Sequence, residues 1–302
     1  MPRLLLLALL ALAGCQSLGE TVVAGVVAAR RSEAGLSERT VTVEGRSVAY
    51  LERAGSEPAL VLVHGFGAQK DAWLDLVDAL PVGRRVLVPD LAGHGDTPAE
   101  PGARYDGPRY AADLVAWLEA VTDGPADLAG NSMGGLVVTL VALDHPQAVR
   151  SLVLLDPAGI PSPVPSGLDS LVATGANPLI PTTRAEYDRL LAFAFARPPD
   201  LPGLARDVLA ADTRPRAPFL RRLFEALGDT PGDLRARLPG LDRPVLLLWG
   251  TQDRVLDPSA APLWDAAMPR SRYVRLPGVG HAPMMEAPET TARLMSGFLD
   301  TR

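Results

Sequence analysis

Ser132 stands in "AGNSMGG", with Gly130 before it and Gly134 after it, behind one apolar run and ahead of another. A serine hydroxyl is a weak nucleophile until a base takes its proton, so the residue needs an imidazole and an orienting carboxylate within reach. The chain has 4 histidines. His281, in "LPGVGHAPMMEAPE", follows the last apolar run in a glycine-rich loop with room to swing over a sheet, and it is the preferred base. His64 in "VHGFG" competes for the role, although its glycine neighbours suit it better to shaping a loop; His145 in "ALDHPQ" reads as a surface or capping residue. Asp253, in "LLLWGTQDRVLDP", falls just after a buried run, where it can accept a hydrogen bond from the imidazole and fix its tautomer. Asp257 precedes a proline and reads as an N-cap, while Asp156 in "LVLLDPAG" is a second strand-end acid.

These residues need a scaffold that brings distant loops together. "PALVLVHG", "RRVLVPD", "ADLAGNS", "SLVLLDPAG", "RPVLLLWG" and "RYVRLPG" are short apolar runs ending in Gly, Asp, Ser or Pro, the pattern of parallel strands buried on both faces. Between them, "DAWLDLVDAL", "RYAADLVAWLEAV" and "GGLVVTLVALDHP" carry apolar residues at helical spacing. The class is therefore α/β, a mostly parallel sheet flanked by helices, opened by a hairpin of "RTVTVEG" and "RSVAYLER". Residues 160–240 contain no convincing strand but several helical stretches, which implies an all-helical cap inserted over the carboxyl ends of the strands. The core is then 38–159 and 241–302.

In that setting Gly130-x-Ser132-x-Gly134 lies at a strand-to-helix turn so tight that side chains flanking the serine would clash. The backbone N–H of Met133 and that of Phe66, in the loop His64-Gly65-Phe66-Gly67, are the expected oxyanion-hole donors. Gly65 and Gly67 allow that backbone to approach a substrate closely.

Composition narrows the partners. With 47% hydrophobic and 21% charged residues, the chain can bury a large core. A net charge of -6 and no basic run give a phosphate backbone nothing to bind, which excludes nucleic acid.

"HGFGAQKDAW", "VLVPDLAGHGDT", "GNSMGG", "WGTQDRVLDP" and "GVGHAPMMEAPE" together resemble the α/β-hydrolase superfamily, and the pairing of the first with "GNSMGG" is similar to its bacterial lipase, monoacylglycerol lipase and carboxylesterase branch. The resemblance implies Ser132 as nucleophile, His281 as general base and acid, Asp253 as orienting carboxylate, and two-step acyl transfer to water without metal or cofactor. It implies short to medium acyl esters or monoacylglycerols as substrates. Two other readings compete. C–C bond hydrolases of aromatic ring-cleavage products carry similar elbows, but usually place an aromatic residue after the catalytic histidine, where Ala282 stands here; they would also need cap cations such as Arg184, Arg189 or Arg197. A non-catalytic lipid-anchored binding protein could keep the fold without turnover.

The amino terminus concerns location. Arg3, the apolar "LLLLALLAL" and small residues before Cys15 form a signal peptide over 1–14, and "LAGC" resembles the bacterial lipobox, in which the cysteine is lipidated. A plain signal peptide with an incidental cysteine is the alternative. Residues 15–37 form a tether, in which Val22, Val23, Val26 and Val27 predict a short helix packed on the domain. Gln16 lacks the acidic character of an inner-membrane retention signal, so the expected location is the outer membrane of a two-membrane cell.

Overall fold

The computed structural model describes residues 2–229 and 233–301, with side chains from Leu18 onward apart from Asp229. The Cys15 side chain, on which the lipidation reading falls, lies outside those described. An 8-stranded sheet runs in the order β1-β2-β4-β3-β5-β6-β7-β8. Its strands are β1 (Ser37–Val43), β2 (Arg46–Arg53), β3 (Ser56–Val63), β4 (Arg84–Pro89), β5 (Ala126–Asn131), β6 (Val149–Leu155), β7 (Val245–Gly250) and β8 (Ser271–Leu276). The expected hairpin is present: β1 and β2 pair antiparallel through a turn with φ 50° at Glu44 and 77° at Gly45, matching the twist of the strands it joins. β2 also pairs antiparallel with β4, and every later pairing is parallel.

Parallel neighbours need long crossovers, and helices supply them. They are α1 (Pro2–Glu33), α2 (Leu74–Ala79), α3 (Gly107–Val121), α4 (Met133–Asp144), α5 (Gly167–Val172), α6 (Arg184–Ala194), α7 (Gly203–Asp229), α8 (Ala261–Ala267), α9 (Pro283–Glu286) and α10 (Pro288–Leu299). Alternation along the strands builds two cores. Val61, Val63 and Leu87 face α3, α4 and α8, whose Trp117, Val137 and Trp264 close that layer. Leu60, Leu62, Val86 and Val88 face Trp73, Leu76, Met295 and Phe298 on the other side. Each such side chain stabilises the fold by about 1.5–3 kcal/mol of apolar burial. With both faces covered, only strand ends and loops remain for chemistry.

Between β6 and β7 the described chain forms α5, α6 and α7 and no strand. Ser166 begins α5 with a capping box through Asp169, and Thr183 caps α6. In α7, Pro215 and Pro218 each remove a helical hydrogen-bond donor.

The tether corrects one expectation. Most of it is part of the single long helix α1, whose packed stripe passes through Gly19, Val23 and Val27, while Val22 and Val26 are exposed. Gly19 abuts Leu204 and Val208 of α7. At the other end Arg31 grips Asp71 with two hydrogen bonds of 2.6 Å, and Arg30 pairs with Asp75. These supports define a narrow line of contact, so a helix advancing 100° per residue buries only one of its two valine rows. Among the described residues no helix is long and apolar enough to cross a membrane.

Candidate active site

Ser132 lies between the end of β5 and the start of α4 with φ 55° and ψ -119°, a conformation that non-glycine residues rarely adopt. The surrounding backbone enforces it. Its N–H donates to Leu155 O at 3.0 Å, and its carbonyl accepts from Leu136 at 3.1 Å and Ala158 at 3.0 Å. The two flanking glycines are steric requirements: a Cβ on Gly130 would strike the Gly134 carbonyl, and one on Gly134 would strike the carbonyls of Val63 and His64. Ser132 Oγ has no hydrogen-bond partner among the described residues, and the residue is 9% exposed.

His281 and Asp253 meet at 2.7 Å, Nδ1 to Oδ2. The other Asp253 oxygen accepts from the N–H groups of Val255 at 2.8 Å and Leu256 at 3.1 Å, so the carboxylate is fixed by its own loop. With Nδ1–H donated to Asp253, the imidazole keeps its Nε2 lone pair available. The His281 loop is tied to the residue before Ser132: Asn131 Nδ2 donates to His281 O at 3.0 Å and to Leu155 O at 3.1 Å.

Sequence reasoning missed the residue that secures this loop. Glu286 accepts from the N–H of Gly280 at 3.0 Å and Ala282 at 3.5 Å on either side of His281, and from Ala196 at 2.9 Å and Arg197 at 3.1 Å beyond α6. The His281 N–H donates to Ala194 O at 2.9 Å. One carboxylate therefore joins the cap to the imidazole loop. The only signal for it was an acid five positions after His281 in "HAPMME".

The loop after β3 lies on the opposite flank. A Cβ on Gly65 would be 3.2 Å from Ser132 Cβ, which places this backbone beside the hydroxyl. Two buried histidines shape it. His64 Nδ1 donates to Gly65 O at 2.9 Å and its Nε2 accepts from Leu91 N at 3.0 Å. His94 Nε2 accepts from Gly67 N at 3.2 Å while Nδ1 donates to Ala92 O. Burial lowers both pKa values, that of His94 strongly, so both rings are neutral. Lys70, 2% exposed, then anchors the loop to Asp90 by Nζ–Oδ2 at 2.7 Å and also pairs with Asp96. Among the described residues the amides of Phe66 and Met133 donate to no other group. Phe66 packs edge-on against Phe224 of α7 at 5.8 Å, and Leu220 lies next to Gly67, so the cap covers this flank with apolar surface.

The remaining candidates separate clearly. Asp257 accepts from Ser259 N at 2.9 Å as the cap of a short 3-10 helix, and His145 ends α4. Asp156 is fully buried at the end of β6 and does not contact His281 by hydrogen bond. Arg184 is paired with Asp188 and Asp207, and the Arg189 side chain is 68% exposed beside Glu186. Among the described residues no cluster of His, Cys, Asp or Glu could hold a metal ion. A groove of about 920 Å³ opens between the 93–105 loop and α7, but neither Ser132, Asp253 nor His281 lines it, so its size does not make it the reaction site.

Comparison with known proteins agrees with this architecture. A family model described as alpha/beta hydrolase fold matches residues 58–288. Monoacylglycerol lipase abhd6-B of Xenopus laevis is 31% identical over 260 residues, covering 82% of this chain and 77% of its own. Lipase 3 of Moraxella sp. (strain TA144) is 28% identical over 301 residues, covering 96% of this chain and 95% of its own. The crystal structure of a membrane phospholipase A, described as a novel bacterial virulence factor, superposes with a TM-score of 0.91 at 37% identity, covering 100% of this chain and 99% of that one. With the sheet order, the helical insertion and the strained Ser132 turn all consistent with the match, this chain belongs to the alpha/beta hydrolase fold family.

Proposed function

We propose that the protein is a serine hydrolase that cleaves carboxylic esters, with short to medium acyl esters or monoacylglycerols as its substrates. The observation that carries this reading is the 2.7 Å His281–Asp253 pair on loops converging beside a serine with φ 55°. In the first step His281 Nε2 takes the Ser132 proton as Oγ adds to the ester carbonyl. The carbonyl oxygen becomes an oxyanion facing the amides of Phe66 and Met133, each donor contributing about 10²–10³ in turnover. Asp253 stabilises the imidazolium, which then protonates the leaving alcohol. Water, deprotonated by the same imidazole, releases the acid and restores Ser132. Substrate occupancy draws the imidazole and hydroxyl together, since catalytic hydrogen bonds tighten in the bound complex.

An ester of a lipid suits the apolar Phe66–Phe224 and Leu220 surface over the oxyanion loop. It also suits the relatives named as lipases, monoacylglycerol lipases and a phospholipase. Lipidation of Cys15 would hold the enzyme at a membrane, the outer one in a two-membrane cell, where such esters are found. Globomycin-sensitive processing and loss of membrane association in Cys15→Ala test that placement.

The reaction is tested by fluorophosphonate labelling. Wild type labels and Ser132→Ala does not; equal labelling of the two defeats the assignment. Turnover across an acyl-chain series, set against a ring-cleavage product, tests the bond cleaved. Faster turnover of the latter replaces ester hydrolysis with C–C hydrolysis.

A further inference from the structure

Cap helix α6 ends in an unfinished turn. Phe195 N–H donates to Leu191 O at 3.2 Å, and Phe195 itself is extended, with φ -103° and ψ 140°. The next bond in the helical series would run from Ala196 N–H to Ala192 O. Those two groups turn elsewhere: Ala196 N–H donates to Glu286 at 2.9 Å, and Ala192 O accepts from Arg254 Nη2 at 2.5 Å. A helical bond is thus exchanged for a side chain from each of two loops. Glu286 secures the loop after β8, which carries His281, and Arg254 belongs to the loop after β7, which carries Asp253.

Arg254 is held at both of its ends. Its Nη2 also donates to Phe195 O at 2.8 Å, and the guanidinium lies over the Phe193 ring at 5.8 Å. Its carbonyl accepts from Leu168 N of α5 at 3.0 Å. The last carbonyls of a helix carry negative partial charge, which a guanidinium meets better than a neutral donor does. Between the two carbonyls that Arg254 holds, Ala194 O accepts the His281 N–H at 2.9 Å. The end of α6 therefore receives the residue next to Asp253 and the backbone of His281 within four positions, 192–195. Asp253 in turn spends Oδ1 on the amides of Val255 and Leu256 and Oδ2 on His281 Nδ1, so its direction follows that of its loop.

We propose that Arg254 is a positioning residue for the Asp253–His281 pair, setting the loop after β7 against the loop after β8 through the end of α6. The imidazole alternates between neutral and charged during turnover, so its own bond to Asp253 changes strength at each step. A guanidinium keeps its charge throughout and supplies a tie that does not change. Without it the loop after β7 keeps its internal turn at Val255 and Leu256 but loses its hold on α6, and the carboxylate aligns less well with the imidazole. Arg254 acts through Asp253, and this role rests on the Ser132–His281–Asp253 reading.

The test is made on the full chain with p-nitrophenyl butyrate as substrate. Arg254→Met should lower kcat about tenfold with KM nearly unchanged, well short of the roughly 10⁴-fold typical of disabling the acid itself. The acid limb of kcat/KM reports the imidazole, and a carboxylate beside it favours its charged form, so poorer alignment should move that limb about half a unit to lower pH. A merely structural role would lower Tm and leave the limb in place, and an unmoved limb overturns the proposal. Because a single nitrogen serves both carbonyls, a lysine ammonium can replace it, and Arg254→Lys should recover the limb and most of kcat; a lysine variant no better than Arg254→Met overturns the proposal. In an Asp253→Asn background Arg254→Met should cost less than about twofold, since the carboxylate it aligns is gone, and an undiminished penalty overturns the proposal as well. If Arg254→Met fails to fold, Arg254→Gln, with a neutral donor, takes its place and is read in the same way. Ser132→Ala separates the two failures. If it remains active the triad reading itself fails; if it is inactive and the limb of Arg254→Met is unmoved, only the role of Arg254 fails.

Discussion

The two flanks of Ser132 use histidine in opposite ways. On the β3–β4 side, His64 and His94 are fully enclosed, and each ring spends both nitrogens on backbone groups, which fixes its tautomer and leaves nothing for proton transfer. On the β7–β8 side, His281 commits only Nδ1, to a carboxylate that can stabilise the ring once protonated. The same side chain is a rigid spacer where burial suppresses its charge, and it is the proposed base where a counter-charge stands beside it. Partners, and not residue type, assign the role.

The contrast is broken most directly at the imidazoles themselves. His281→Gln should lower kcat by about 10⁴–10⁶-fold with little change in Tm. His64→Gln should instead destabilise by about 1–3 kcal/mol, through the unsatisfied Leu91 amide, in urea titrations. If the His64 variant lost activity and stayed stable while the His281 variant kept turnover, the roles would be exchanged.

Changes at the groups around the imidazoles sharpen the same division. Lys70→Met leaves the buried Asp90 carboxylate without its ammonium partner, and should cost up to about 3–5 kcal/mol by urea denaturation, less to the extent that exposed Asp96 is hydrated. His94→Leu frees the Gly67 amide and loosens the adjacent Phe66 backbone, the proposed oxyanion donor; steady-state assays should show kcat about 10–100-fold lower with KM nearly unchanged, within the range of one such donor. Glu286→Gln supplies one acceptor oxygen where two served the amides beside His281 and beyond α6, so turnover should fall several-fold, about 1 kcal/mol of transition-state support.

Stability against pH tests the neutral state of the two enclosed rings. His64 and His94 have folded-state pKa values below the unfolded value, so below about pH 6.5 the unfolded chain binds protons that the folded chain refuses. Stability is complete above that pH and should decline on acidification by about 1.4 kcal/mol per pH unit for each ring, until the folded state also protonates. His94→Asn should flatten the slope by one such share in pH-dependent denaturation. An unchanged slope would mean that His94 is not buried neutral.

Ser132 was legible because its turn is local: strand, glycine, serine, glycine and helix are contiguous, and sterics alone demand that order. Strand identity was legible because burial on both faces leaves continuous apolar runs, as in β3 and β7. Along α1 the spacing gave a helix but left its buried row undecided, and the choice of Val23 and Val27 over Val22 and Val26 came from where Asp71, Asp75 and α7 stand. His94 and Glu286 carry no local signature of their tasks. They act on backbone amides 27 and 90 residues away in the chain, Gly67 and Ala196. What the sequence by itself determined was the α/β class, the elbow at Ser132 and the residue types available for its chemistry, because those follow from near-neighbour sterics and periodic burial. Only the tertiary structure decided which histidines are locked neutral, which acid reaches His281 and how the cap is tied to the base loop, because hydrogen bonding and desolvation depend on groups that meet only in three dimensions.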